Sequence, residues 1–375
     1  MLRQRVPAAL VVFGLSLLGV EAFGQQPGER FRRWDANGDG KVSREEIPPW
    51  FRGQFDEIDA NKDGAISPDE EQKFRPAGGG QRRVPDSVRV ERDLAYAASD
   101  NPKQKLDLYL PKTPTSDKPL PLVVFVHGGA WRTGDKSTGY YMVAPLVESG
   151  DYAGACISYR LSGEATWPAQ IFDCKAAIRF LRANADKFHL DPDRIGVMGN
   201  SAGGHLVALL GTSGGVAELE GTLGENSSVS SRVTCVVDQF GDTDFTLRPG
   251  APDGPVSKLL GVDVTKDKAA ALAASPIKYV SKTCPPFLFI HGTEDPAVQF
   301  KQSEVLDAAL RAVGVDSTLV PVKGGGHGNF GTPEVPQRVR QFFDKHLRGQ
   351  EVVVSAEPIA MPSNNASNSK KAPGQ

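Results

Sequence analysis

The chain has 375 residues and a formal net charge of −2, so neither nucleic acid nor an anionic membrane is expected as its main partner. Hydrophobic residues make up 39% and charged residues 23%, which predicts a well-filled core and excludes disorder over most of the length. The length exceeds that of one average domain but does not suffice for three large ones.

The first 24 residues have the three parts of a secretory signal peptide. Arg3 and Arg5 form a basic start, residues 6–20 are an apolar run, and residues 22–24 have small residues two positions apart. The run is shorter than the roughly 20 residues that span a bilayer, so cleavage is favoured over a membrane anchor. The sequence predicts a secreted or periplasmic protein with no membrane span after cleavage near Gly24.

Two twelve-residue loops, at 35–46 and 59–70, lie in a predicted small unit, residues 25–75. They read DANGDGKVSREE and DANKDGAISPDE, and both match the calcium-loop pattern D-x-[DN]-x-[DN]-G-x5-E. Ca²⁺ takes about six to eight oxygens, from side chains at positions 1, 3, 5 and 12 and a carbonyl at position 7. The predicted ligands are Asp35, Asn37, Asp39, Lys41 and Glu46 in the first loop, and Asp59, Asn61, Asp63, Ala65 and Glu70 in the second.

This region resembles an EF-hand pair and implies an all-α calcium domain. Val42 and Ile66 are expected to pair the two loops, over a small core of Phe31, Trp34, Trp50, Phe51, Phe55, Ile58 and Phe74. Residues 48–49 are prolines that interrupt the helix leaving the first loop, so a structural or docking role is favoured over sensor-type opening. A calcium-dependent docking partner, or a dockerin-like tether, stays open; glutamate at position 12 of each loop favours the EF-hand.

Two segments lack the pattern of a folded domain. Residues 76–87 have the glycine, proline and charge of a linker. Residues 349–375 are polar, contain prolines and show no periodicity, which predicts a disordered tail.

The four cysteines are too few for a fold built on disulfides. Cys235 and Cys284 each stand at the start of a predicted parallel strand. If those strands are neighbours, a disulfide between the two is sterically feasible, and export would permit it.

Between residues 88 and 348 strands alternate with helices. Residues 88–95 and 106–110 predict a leading antiparallel pair, and six further strands are predicted at LVVFVHG, YAGACISY, RIGVMGN, VTCVVDQF, PPFLFIHG and STLVPVKG. Amphipathic stretches such as QIFDCKAAIRFLRANADKF lie between them, so the fold class is α/β, with helices on both faces of a mostly parallel sheet. In such sheets the ligand site lies at the carboxyl ends of the strands.

Three chemically active side chains follow such strands. Ser201 lies in the Gly-x-Ser-x-Gly turn of residues 199–203, a strand-to-helix turn that exposes a serine hydroxyl. A serine needs a base to take its proton, and the base needs a carboxylate to hold it. Asp295 and His327 complete the chain order Ser-Asp-His that this architecture uses, so the three residues are the predicted catalytic triad.

Other residues compete for these roles. His205 lies one helical turn after Ser201 and is expected to pack against the sheet, while His189 and His291 are expected to be structural. Glu294 is the alternative acid, but the Asp-Pro turn favours Asp295.

The motif HGGAW, residues 127–131, follows another predicted strand. Acyl transfer develops negative charge on a carbonyl oxygen, and preorganised backbone N–H groups stabilise that charge. Gly128 and Gly129, together with the N–H of Ala202, are the predicted donors of this oxyanion hole.

Residues 107–347 resemble an α/β-hydrolase esterase of the alpha/beta-hydrolase-3 kind, most of all the secreted branch of bifunctional feruloyl and acetyl-xylan esterases. The motifs that carry the resemblance are DLYLPK, HGGAW, WPAQIFDCKAAIRFLR, GNSAGG, FGDTDF, HGTEDPAV and GGGHG. The resemblance implies a serine hydrolase of carboxylic esters that needs no cofactor for catalysis, and acetyl or feruloyl groups on polysaccharide as substrates. The family usually has proline where this chain has Asp242.

Two other functions stay open. An arylformamidase or another amide hydrolase would use the same HGG-x-W motif and triad. A protein of a different class, a calcium-dependent attachment module, would carry an inactive hydrolase body, although the sequence lacks no member of the triad.

Overall fold

A computed structural model describes residues 31, 34–35, 37–46, 55–73, 84–248, 250–328 and 330–361. The predicted signal peptide, most of the linker, the two prolines at 48–49 and the predicted core residues Trp50, Phe51 and Phe74 lie outside these residues. The chain divides into two compact units, Met1–Phe74 and Arg75–Gln375.

The small unit is held together by its paired loops. Val42 and Ile66 form an antiparallel bridge with two backbone hydrogen bonds of 2.9 Å, as predicted. Two short helices are described, α1 (Phe55–Ile58) and α2 (Pro68–Lys73). The buried cluster consists of Phe31, Trp34, Val42, Phe55, Ile58 and Ile66. Six apolar side chains thus form the described core between the loops.

The large unit is built on one sheet with the order β1-β2-β4-β3-β5-β6-β7-β8-β9 in its described part. Its strands are β1 (Val88–Ala95), β2 (Lys105–Pro111), β3 (Leu120–Val126), β4 (Ala153–Ile157), β5 (Leu190–Asn200), β6 (Cys235–Gln239), β7 (Phe287–Gly292), β8 (Ser317–Lys323) and β9 (Ile359–Ala360). The β1–β2 and β2–β4 pairs are antiparallel and the other neighbours are parallel. The leading antiparallel pair and the mostly parallel sheet are therefore confirmed.

Helices cover both faces of this sheet. They are α3 (Tyr140–Glu148), α4 (Ala169–Ala183), α5 (Ala185–Phe188), α6 (Ala202–Thr212), α7 (Ala217–Glu220), α8 (Pro255–Leu260), α9 (Lys268–Ala273), α10 (Lys301–Ala312) and α11 (Glu334–Arg348). One buried cluster joins the sheet to α4, α6 and α10, and a second joins it to α3 and α11. In β3, Val124 belongs to the first cluster and Val123 to the second, which is why the whole strand is apolar.

Single 3₁₀ turns are formed by Pro102–Gln104, Lys136–Thr138, Phe245–Leu247 and Pro276–Tyr279.

The prediction of a disordered tail over residues 349–375 is wrong for its first part. The short strand β9 lies within it and extends the sheet by pairing in parallel with β8, where Val322 faces Ile359. Ile359 is buried, and the Arg338 guanidinium donates a hydrogen bond to the carbonyl of Ser355. One buried apolar residue in a polar segment gives no periodic pattern, so the sequence could not indicate this strand.

The feasible disulfide is not formed. All the cysteines of the chain are free thiols: Cys156, Cys174, Cys235 and Cys284. The strands beside Cys235 and Cys284 are neighbours, as expected, but Cys235 belongs to the cluster under α3 and α11, whereas Cys284 packs against the cluster on the opposite face. Cys284 also lies in a turn before β7, where its sulfur accepts the N–H of Ser281 at 3.3 Å. Two side chains on opposite faces of a sheet cannot be bridged.

A buried acid in β6 sits under the start of α6. The side chain of Asp238 has no exposure, and its Oδ1 accepts the N–H of Gly241 at 2.9 Å. Its Oδ2 has no hydrogen-bond partner in the described chain. Burial raises the pKa of Asp238 to about 7; the nearby Asp242 adds to the rise and the Gly241 N–H opposes it.

This raised pKa predicts that the native state loses stability as the pH rises. The folded chain keeps the Asp238 proton up to about pH 7, whereas an unfolded aspartate loses it near pH 4, so the stabilisation present at low pH disappears between those values. Asp238→Asn stays neutral throughout. We expect its unfolding free energy, measured by urea titration, to gain roughly 2 to 3 kcal/mol over the native chain between pH 5 and pH 8. Parallel pH curves for the two proteins would contradict this.

Candidate active site

Ser201 occupies a tight turn between β5 and α6. Its backbone has φ +53° and ψ −120°, a strained conformation for a residue with a side chain, and its N–H donates to the carbonyl of Gln239 at 2.9 Å. At Gly203 a Cβ would lie 2.0 Å from the carbonyl oxygen of Val126. A side chain at that position would push α6 away from β3. The glycine therefore lets the helix begin directly behind the serine, as the motif predicted.

The three predicted catalytic residues meet at the carboxyl ends of their strands. The Nε2 atom of His327 lies 2.9 Å from Ser201 Oγ, and its Nδ1 atom lies 2.7 Å from Asp295 Oδ2. The imidazole packs edge-on to Phe240, with ring centroids 4.8 Å apart. With Nδ1–H donating to the carboxylate, Nε2 is left as the acceptor for the serine hydroxyl.

Asp295 is held as a charged carboxylate. Its Oδ1 accepts the N–H groups of Ala297 and Val298 at 2.8 and 2.9 Å. Burial alone would raise the pKa of Asp295, but contacts with two histidines and the N–H of Val298 outweigh it and hold the pKa well below the usual range. Glu294, the alternative acid, is exposed.

His291, which was expected to be structural, lies beside the catalytic acid. It is fully buried at the end of β7, and its Nε2 lies 2.8 Å from the carbonyl of Val298 and 3.3 Å from Asp295 Oδ2. Its Nδ1 lies 2.8 Å from Ser303 Oγ. The ring thus braces the Asp295 loop. Its spacing of four residues from Asp295 was the available signal.

His205 and His189 have other partners. His205 is buried, but against aromatic side chains rather than the sheet as predicted: its ring centroid lies 5.2 Å from Trp131 and 4.7 Å from Phe245. Its Nε2 lies 2.8 Å from the carbonyl of Ala274, and burial lowers the pKa of His205 to about 4. The His189 Nε2 lies 2.9 Å from the carbonyl of Asp117. These contacts leave neither as the base for Ser201.

In the HGGAW loop, the prediction of Gly128 as an oxyanion donor is wrong. The N–H of Gly128 already donates to Asn200 Oδ1 at 2.9 Å, because the residue before the serine reaches back to this loop. The N–H groups of Gly129 and Ala202 donate to no acceptor among the described residues, and neither does that of Ala130. Ala130 has φ +53°, a turn conformation that its side chain gave no reason to expect.

His127 supports the same loop. Its ring stacks on Tyr159 with centroids 4.3 Å apart, and the Tyr159 hydroxyl donates to the His127 carbonyl at 3.0 Å. Burial lowers the pKa of His127 to about 4, so the ring is neutral near pH 7. A neutral, stacked ring fixes the loop without adding charge beside the triad.

The two calcium-like loops repeat one hydrogen-bond pattern. In the first, the Asp35 carboxylate accepts the N–H groups of Asp39 and Gly40 at 3.1 and 3.0 Å. The Glu46 carboxylate closes the loop by accepting the N–H groups of Asn37 and Ser43 at 3.3 and 2.8 Å.

In the second loop the Asp59 carboxylate accepts the N–H groups of Asp63 and Gly64 at 3.1 and 2.9 Å. The Glu70 carboxylate accepts the N–H groups of Asn61 and Ser67 at 3.1 and 2.9 Å. Hydrogen bonds from Ser67 lower the pKa of Glu70, which keeps this carboxylate ionised.

These donor sets fit Ca²⁺ by their chemistry. Carboxylate and amide oxygens stand at positions 1, 3, 5 and 12 of both loops, and oxygen is the ligand that calcium prefers. In the described chain no three Asp, Glu, His or Cys side chains converge as a metal cluster, since the loop carboxylates point at their own backbone N–H groups. Calcium would exchange those bonds for metal contacts.

The helices of the described residues are all too short or too polar to cross a membrane.

The chain is similar to known esterases and to EF-hand proteins. Residues 106–310 match the BD-FAE family, and residues 29–47 and 51–74 match the EF hand family. The esterase LipC of Mycobacterium tuberculosis is 34% identical over 278 residues, which are 71% of this chain and 67% of LipC. The chain spans 58% of LipM, a probable carboxylic ester hydrolase of the same organism that is 31% identical.

Two solved structures share the fold of the large unit. A truncated carbohydrate esterase from gut microbiota has a TM-score of 0.65 and 32% identity, covering 71% of this chain and 99% of that one. An acetyl ester-xyloside bifunctional hydrolase from Caldicellulosiruptor lactoaceticus has a TM-score of 0.55 and 28% identity, covering 64% and 88%. The chain is a member of the BD-FAE family of α/β-hydrolase esterases, and an EF-hand region precedes the esterase region in the chain.

Proposed function

We propose that the protein is a secreted serine esterase. Ser201 attacks the ester carbonyl while His327 takes its proton, and the same imidazole then protonates the departing alcohol. Water, activated by His327, releases the acyl group from Ser201. Asp295 keeps the imidazole in the required tautomer and stabilises its positive charge. The single observation that carries this proposal is the continuous contact from serine to histidine to carboxylate, at 2.9 and 2.7 Å.

The unpaired backbone N–H groups support the same chemistry. Attack on the carbonyl places negative charge on its oxygen, and donors fixed in advance stabilise that charge without reorganising. We assign the N–H groups of Gly129 and Ala202 to this role, with Ala130 as the third donor in place of Gly128. Each removed donor typically costs about 10²- to 10³-fold in rate.

The proposed substrate class is supported by the similar structures and is consistent with the predicted export. Acetyl or feruloyl groups on polysaccharide fit a secreted enzyme of this family, and similar structures are named as a carbohydrate esterase and an acetyl ester-xyloside hydrolase. Polysaccharide esters are too large to enter a cell, so an enzyme that acts on the intact polymer has to be exported.

Replacing the nucleophile tests the mechanism. We expect Ser201→Ala to lower kcat on a short-chain aryl ester by at least about 10⁴-fold, because the hydroxyl forms the covalent bond. A fluorophosphonate probe should label the native chain at Ser201, identified by peptide mass. Ser213→Ala is the matched control, since this serine caps the far end of the same helix and bonds to the Leu209 carbonyl.

A substrate panel separates the alternatives. Hydrolysis of acetylated or feruloylated oligosaccharide supports the proposal, whereas preference for a formylated aryl amide would indicate an amide hydrolase. A folded native chain that the probe leaves unlabelled would be an attachment module instead.

Calcium is assigned a structural role in the small unit. The two loops are joined through Val42 and Ile66, so metal bound in one loop also orders its partner. Extracellular modules of this type bind calcium with dissociation constants on the order of 10⁻⁴ to 10⁻³ M.

Removing calcium tests that assignment. We expect chelation to lower the Tm of the small unit. We expect kcat on an aryl ester to change by less than about twofold, because the calcium-like loops contribute no residue to the triad. Glu70→Gln should weaken calcium binding in calorimetry, and Asp69→Asn, at a neighbouring acid outside the predicted ligand set, should not. A loss of rate in proportion to the loss of stability would assign calcium a catalytic role.

A further inference from the structure

Asp242 forms a buried ion pair beside the triad. The side chain of Asp242 is 2% exposed. Its Oδ1 lies 3.2 Å from Nε of Arg248, whose side chain is 21% exposed. The two groups are at ion-pair distance without the alignment of a hydrogen bond, so the attraction between them is electrostatic.

Arg248 also reaches the loop that carries the catalytic acid. Its Nη2 donates to the carbonyl of Ala297 at 2.7 Å. The N–H of Ala297 donates in turn to Asp295 Oδ1 at 2.8 Å. Ala297 therefore links the Arg248 guanidinium to the Asp295 carboxylate, which in turn holds His327.

The segment that carries this pair is fixed elsewhere. The N–H groups of Thr243 and Asp244 donate to Gln302 Oε1 at 2.8 and 2.7 Å, which ties the segment to the start of α10. Phe240, two residues before Asp242, packs against the imidazole of His327. Arg248 thus extends from an anchored segment to the loop of Asp295.

The charges around Asp242 come from several elements. The groups that interact with its carboxylate are Asp238 on β6, Arg248 after the 3₁₀ turn, His291 on β7, Asp295 and His327. Burial raises the pKa of Asp242, and the attraction of Arg248 opposes that rise. A buried carboxylate without its cation would be strongly destabilising, and a cation without its carboxylate would repel a protonated histidine.

We propose that Asp242 and Arg248 are a positioning pair for the triad: Arg248 holds the Asp295 loop through Ala297, and the Asp242 carboxylate balances the charge of Arg248 beside His327. This inference rests on the proposed function, since it requires His327 to be the general base. The pair touches no reacting atom.

The pH dependence of kcat/KM tests the charge balance. The acid limb of the profile reports protonation of the base, which is inactive as imidazolium. Asp242→Asn leaves Arg248 uncompensated, so protonation of His327 becomes harder and the acid limb of the profile moves to lower pH. Adding Arg248→Met to Asp242→Asn removes the cation and should return the limb toward its native position.

The division between kcat and KM tests the positioning. Arg248→Met alone should lower kcat by about tenfold on an aryl ester with little change in KM, because a displaced Asp295 acts on chemistry rather than binding. Arg248→Lys keeps the charge and should restore part of the rate. Asp307→Asn and Arg311→Met, at another Arg–Asp pair with a 3.2 Å contact at the far end of α10, are the controls and should leave the limb in place.

The outcomes separate this inference from the proposed function. An acid limb that stays fixed in Asp242→Asn, or moves to higher pH, overturns the charge balance. A raised KM with unchanged kcat in Arg248→Met would make Arg248 a substrate contact and overturn the positioning role. Failure of the probe to label Ser201 in the native chain would instead remove the proposed function itself.

Discussion

The hydrogen bond between His327 and the Asp295 carboxylate is the interaction on which the site depends. It joins the loops that follow β7 and β8, and it leaves the other imidazole nitrogen facing Ser201 behind β5. A buried negative charge costs free energy unless donors surround it. Here two backbone N–H groups and two histidines meet that requirement by surrounding the Asp295 carboxylate. The same requirement explains why Asp242 has Arg248 beside it.

Much of the fold could be predicted because the sheet is covered on both faces. Continuous apolar runs indicate the strands β3 to β8. Because sites form at the carboxyl ends of parallel strands, the sequence predicts that Ser201, Asp295 and His327 lie at one edge of the sheet. The strand β9 could not be predicted, since a single buried residue, Ile359, carries it. The disulfide considered between Cys235 and Cys284 could not be excluded from the sequence for a related reason. Neighbouring strands could be inferred, but the face of the sheet on which each sulfur lies depends on a turn outside the strand.

The site was predictable in its reacting groups and not in the groups that support them. Ser201 and His327 stand in motifs whose chemistry is explicit, whereas His291 and Arg248 act through backbone carbonyls and carboxylates of distant residues. The prediction of Gly128 as a free backbone donor is wrong for the same reason. A side-chain contact from Asn200 consumes one N–H group, and a spacing rule contains no information about that contact.

The positions of the four sulfurs have a consequence for how the large unit can be made. Burial raises the pKa of Cys156, Cys174 and Cys235 well above the usual thiol range, so these groups remain protonated and react slowly with oxidants. With every cysteine a thiol, reaching the native state requires neither an oxidase nor a disulfide isomerase. Disulfide formation therefore places no requirement on the compartment in which the large unit folds, so a reducing cytoplasm is compatible with its native state.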